Sequence, residues 1–159
     1  MANNDALTFS THDLNIQIYN ASDLRLVYGG TAHEISLGEL ARMKTPKDET
    51  RYPSGKSGSY IAFAGPVQIE WRSQDGVKHS CVLDLDEVFR EKTVRHTQDP
   101  SRIYRPMPIT GGEPTIIIEV NNRTVSVYLF AAIQLTPVDP NAVRRDECDT
   151  RTLAYSKTF

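Results

Sequence analysis

The chain has 159 residues, 39% hydrophobic and 24% charged, with a formal net charge of −2. That length bounds it to one domain, and the near-neutral balance excludes a polyelectrolyte and any global attraction to nucleic acid. Two cysteines, Cys81 and Cys148, exclude a disulfide-dense scaffold, though one bridge between them stays open. No run reaches the roughly 20 apolar residues of a membrane-spanning helix. The opening residues show no basic-then-apolar export signal, so a cytoplasmic protein is the default expectation.

Residues 1–12 are read as a flexible lead-in. Leu14, Ile16 and Ile18 then alternate with Asn15 and Gln17, and Leu24–Tyr28 alternates again after the turn-rich Asn20–Asp23. This period of two predicts a pair of strands joined by a tight connection. Ser36 and Glu39 have capping-box spacing, with Leu37, Leu40, Ala41 and Met43 following at helical spacing, which predicts a short helix over 37–43 weakened by Gly38. Residues 44–59 form a polar loop with two prolines and two glycines. It reads as plain linker, or else as a mobile, partner-contacting loop.

Tyr60–Ala64 reads as a further strand. Val67, Ile69 and Trp71 alternate with Gln68, Glu70 and Arg72 up to Asp75-Gly76, the strongest hairpin signal in the chain. Val77, His79, Cys81, Leu83 and Leu85 share one face of the returning strand, and Asp84 is placed to cap a short helix carrying Leu85, Val88, Phe89 and Lys92. Residues 93–112 make a polar stretch too long for an ordinary connection. It is expected to hide a short strand near Val94 or Ile103, or to be a functional loop. Thr115–Val120, a turn at Asn121-Asn122, and Thr124–Leu135 form the last hairpin. Residues 138–159 read as a polar tail, flexible or loosely docked.

These elements predict a mainly β protein: an antiparallel β-sandwich of seven or eight strands with two short connecting helices, over residues 1–137. A partly open β-barrel is the alternative.

No phosphate loop, dinucleotide fingerprint, nucleophile elbow or paired-histidine zinc motif occurs. No catalytic residue, metal ligand or cofactor is therefore assigned. His79 and Cys81 lie among apolar neighbours and read as core or edge residues. Asp84, Asp86 and Glu87 read first as helix-capping acids. Arg90, Lys92, Arg95, Arg102 and Arg105, with Tyr104 among them, give a local basic excess too sparse for nucleic acid. Set beside Asp84 and Asp86, they suggest a split-charge surface for protein contact. Arg51, Tyr52 and Lys56 mark a second exposed spot.

The favoured expectation is a non-enzymatic protein-binding module: an accessory subunit, an inhibitor or immunity protein, or a subunit of an assembly, through another protein or self-association. One alternative is a small-ligand, carbohydrate or lipid-headgroup binder using Tyr28, Tyr60 or Tyr128. The other is a small hydrolase or lyase pairing His79 or His96 with Asp84 and Asp86.

Overall fold

A computed structural model describes residues 7–159. In chain order it contains β1 (Leu7–Thr8), β2 (Thr11–Tyr19), β3 (Ala21–Tyr28), β4 (Thr31–Ile35), β5 (Ser59–Ile61), β6 (Val67–Ser73), β7 (Lys78–Leu83), the single turn α1 (Leu85–Val88), β8 (Thr93–Val94), β9 (Thr115–Asn121), β10 (Thr124–Leu135) and β11 (Asp146–Thr158). Two sheets face each other. One has the order β11-β10-β9-β2-β5 and the other β4-β3-β6-β7, with β1 and β8 forming a separate two-stranded patch. Neither sheet closes on itself, and the arrangement is a β-sandwich with no closed barrel. All pairings are antiparallel except β2 with β9.

Alternation decides which side chains enter the core. Leu14, Ile116, Ile118, Val120, Val125, Val127 and Leu129 come from the larger sheet; Leu24, Leu26, Tyr28, Val67, Ile69, Trp71 and Leu83 come from the smaller one. Trp71 is buried, and its indole N–H donates to the carbonyl of Asn122 at 2.7 Å, tying the two hairpin ends together. Gly76 takes the positive φ of 80° that closes the β6–β7 turn. In the β9–β10 hairpin Asn121 still pairs with Thr124, so the turn is Asn122-Arg123, one residue later than expected.

Four expectations are corrected. Leu14–Tyr19 and Leu24–Tyr28 are both strands, but they belong to different sheets; Asn20, at φ 48°, carries the chain across. β3 instead pairs with β4 on one side and β6 on the other. The helix over 37–43 does not form. Asp23 captures this segment, its carboxylate accepting from the Gly38 amide (2.8 Å) and its own amide donating to the Ser36 carbonyl (2.9 Å). Ser36 and Gly38 sit at positive φ, and Leu37, Leu40 and Met43 stay exposed with no face to bury. The polar tail is instead largely strand: β11 pairs with β10 along its length except at Ala154. Of the flexible lead-in, residues 1–6 lie outside the described residues, while Leu7–Thr8 and Thr11–His12 are strand.

Residues 87–98 lie beside β11, and 102–109 run along the end of β10 on its β9 side. Asp84 caps α1, accepting from the amides of Asp86 (3.0 Å) and Glu87 (3.4 Å). Val94 pairs with Leu7, Ile103 bridges to Leu135 and Ile109 to Ile133. The suspected short strand near Val94 therefore exists, and Ile103 makes a single bridge. Among the described residues no helix is long and apolar enough to cross a membrane.

Candidate functional site

The longest strand, β11, is an edge. All of its 13 residues but Ala154 pair with β10 on one side, and among the described residues no backbone group bonds to the other side. Thr150, Thr152, Leu153 and Tyr155 favour a pleated backbone, and the neighbour β10 supplies a complete ladder. A bulge at Ala154, between the pairs Val127–Tyr155 and Tyr128–Leu153, divides β11 into a straight part, 146–153, and a short end. Within the straight part Glu147, Asp149, Arg151 and Leu153 lie opposite Gln134, Ala132, Phe130 and Tyr128 on the outer face. Cys148, Thr150 and Thr152 lie opposite Ile133, Ala131 and Leu129 on the inner face.

The inner side of this edge borders a groove of about 390 Å³ between the 87–95 segment and Thr152–Ala154. Arg90, Lys92 and Arg95 line it together with Glu87 and Glu91. Further along, Gln98 donates to the Cys148 sulfur at 3.2 Å, and Arg102 donates to Asp146 at 3.0 Å and to the Thr136 carbonyl at 3.1 Å. The Arg145 guanidinium lies 4.1 Å from the ring centre of Tyr104, and Arg105 donates to the Pro100 carbonyl. Arg90 and Arg95 thus flank the inner side of β11, whereas Arg102, Tyr104 and Arg105 belong to a segment that bonds β10 on its β9 side, Arg102 reaching Asp146 at the start of β11.

The loop over 44–59 is anchored on the outer face of the same sheet, which corrects its reading as a mobile loop. Tyr52 stands edge-on to Phe130 (4.9 Å), over a small outer apolar cluster of Ile117, Phe130 and Ala132. Asn15 donates to the carbonyls of Ser54 and Gly55, and Lys56 pairs with Asp13 at 2.8 Å while its stem stays exposed. Arg42 grips Asp48 through two bonds of 2.8 Å, which with the Thr45 amide and hydroxyl holds that carboxyl far below its usual range. Arg51 lies 3.7 Å from Asp48.

Beneath this loop sits a buried charge cluster. Lys44 Nζ lies 3.0 Å from both oxygens of Glu119, a residue only 3% exposed, and 2.7 Å from Glu49. Arg151 stacks on Tyr128 at 4.4 Å and approaches Glu119 at 3.8 Å, but its three side-chain nitrogens carry no hydrogen bond. Asp149 has no cation partner among the described residues. Burial first, then the neighbouring Glu147, raises its pKa.

Of the ten residues singled out from sequence, Arg90 and Arg95 share the groove, while Arg102, Tyr104 and Arg105 sit on the β9 side of β10, away from the free edge. Asp84 is occupied as a cap and Asp86 is exposed in the turn it caps. Arg51, Tyr52 and Lys56 lie on the outer face, away from that groove. Asp149, Thr150, Arg151, Lys44 and Glu119 were missed. For Asp149, Thr150 and Arg151 the signal was the alternation of charge with Cys148, Thr150 and Thr152, a period of two without hydrophobes; Lys44 and Glu119 had none.

Tyr28 is fully buried: its hydroxyl takes the Ala64 amide (3.1 Å) and bonds His12 Nε2 (2.8 Å), while Tyr60 packs on both rings. His79 stacks on Trp71 and bonds Ser73 Oγ at 2.9 Å, and His96 Nδ1 accepts the Gln98 amide. Neither histidine contacts Asp84 or Asp86. Burial pushes the Cys81 thiol up to about 11, and both cysteines are free. A second, open groove of about 680 Å³ on the smaller sheet holds charges largely paired with each other, Arg25 with Glu34 and Arg72 with Asp23 at 3.7 Å each.

Comparison with protein-family models, with curated proteins and with solved structures finds no match for this chain.

Proposed function

We propose that the chain is a protein-binding module that docks an extended strand of its partner along β11. One observation carries this reading: a 13-residue edge strand whose outer side has no backbone partner among the described residues. Unpaired edge amides and carbonyls are a template for strand addition, and proteins usually blunt such edges with short strands, proline or covering loops. β11 has no proline, and its one bulge leaves eight consecutive residues straight. Arg90 and Arg95 beside the edge supply side-chain contacts, while main-chain bonds supply affinity.

Photo-crosslinking in the native source tests this. A photoreactive residue at position 150 is expected to yield one discrete adduct, while the same residue at position 33 on β4 yields none. Adducts at position 33 and none at position 150 would sink the reading.

A further inference from the structure

We infer that the strand docked on β11 is the β11 of a second copy, antiparallel and in one register, centred on Thr150. This rests on the strand-addition reading above and names its partner. Pairing two copies with Thr150 opposite Thr150 sets Asp149 opposite Arg151 and Arg151 opposite Asp149, all on the outer face. Cys148 then meets Thr152 on the inner face. Opposite-charge and Thr–Thr cross-strand pairs are favourable, and like charges directly opposite are not. Shifting the register by two in one direction puts Asp149 against Asp149, and in the other Arg151 against Arg151. The charge pattern therefore selects a single alignment.

Both charged groups are incompletely satisfied in the single chain. Burial and the neighbouring Glu147 disfavour the charged form of Asp149, and the guanidinium of Arg151, set against Tyr128 and Glu119, carries no hydrogen bond. The bulge at Ala154 lies outside the segment needed, 147–153, so the alternation is unbroken across the contact. The product is one continuous sheet of ten strands, five from each copy, with a two-fold axis through the Thr150 pair.

The test combines sedimentation across a concentration series with crosslinking. The full chain is expected to dimerise, and Asp149→Arg to weaken the dimer by about tenfold or more, because two attractive pairs become repulsive. Asp149→Arg combined with Arg151→Asp restores the attraction and the dimer. Arg151 also packs on Tyr128, so a folding-neutral probe stands beside it. In a chain with Cys81 and Cys148 replaced by serine, Thr150→Cys is expected to give a disulfide-linked dimer on mild oxidation, and Ser156→Cys none. A dimer that links through Ser156→Cys but not Thr150→Cys overturns the register. A chain that stays monomeric, with no link through Thr150→Cys, overturns self-pairing. In that case a position-150 photo-adduct heavier than one chain but unequal to two would leave strand addition standing, and no adduct would remove both.

Discussion

Replacing Lys44 by methionine isolates the charge cluster that pins the 44–59 loop to the sheet. Lys44 and Glu119 have side chains 12% and 4% exposed, with Nζ 3.0 Å from both carboxylate oxygens. Methionine keeps the apolar stem and removes the charge, leaving Glu119 buried with only Arg151 at 3.8 Å. Breaking a buried pair from one side costs about 3–5 kcal/mol, because the remaining ion keeps its desolvation penalty. The second cation sets the expectation at the lower end, about 3 kcal/mol. Lys44→Met combined with Glu119→Gln removes both charges and should recover part of the loss, with a coupling of about 1–3 kcal/mol. Urea denaturation of the four chains of this cycle measures it, provided the m-values agree. A cost for Lys44→Met below about 1 kcal/mol, the worth of an exposed pair, would refute the claim that the cluster anchors the loop.

Burial lowers the pKa of His12, against a smaller opposing effect of the Asp13 carbonyl and carboxylate. The Tyr28 hydroxyl donates to Nε2, so the neutral ring is the one the core accommodates. The unfolded chain therefore binds the proton first. Stability should be flat above the unfolded value and fall as pH drops through about 6.5, by at most about 1.4 kcal/mol per pH unit until the folded form protonates. Chemical denaturation at several pH values checks this, and His12→Gln should flatten that part of the profile. Asp84→Ala removes the cap of α1 and should cost about 1 kcal/mol by the same assay. Gly29→Ala should cost about 1 kcal/mol or more, since Gly29 sits at φ 56° and an added methyl would meet the Tyr60 ring at 2.9 Å. A melting temperature equal to that of the parent would refute that account of Gly29.

The hairpins were legible because each of their strands buries one face. Val67, Ile69 and Trp71, or Val125, Val127 and Leu129, declare their alternation in hydrophobicity itself. Pairing was less legible. β2 and β3 adjoin in sequence yet occupy opposite sheets, and nothing in Asn20-Ala21-Ser22-Asp23 distinguishes a hairpin turn from a crossing between layers. The helix over 37–43 failed for the reason short helices fail generally: propensity cannot hold one turn without a face to bury, and Asp23 offered the backbone better bonds. β11 was invisible because an edge strand needs no hydrophobes. Its backbone is fixed by β10, and its alternation runs between charges and small polar residues. Arg90 and Arg95 were found, but the edge they accompany was not. The pairing of Lys44 with Glu119 joins residues 75 apart in sequence, which spacing alone does not reveal.

Residue-resolved hydrogen exchange along 146–158, in dilute and concentrated protein, tests most directly whether β11 is an ordered edge open for docking. The Phe159 amide donates to the Arg123 carbonyl, so in the antiparallel ladder Lys157 and Tyr155 face β10 while Ser156 and Thr158 face outward. In dilute protein the amides facing β10 should be protected and the outward ones should exchange fast. In the straight segment 147–153, outward amides should gain protection on association. Uniformly fast exchange across 146–158, or outward amides of 147–153 that stay fast when the chain is associated, would contradict the account.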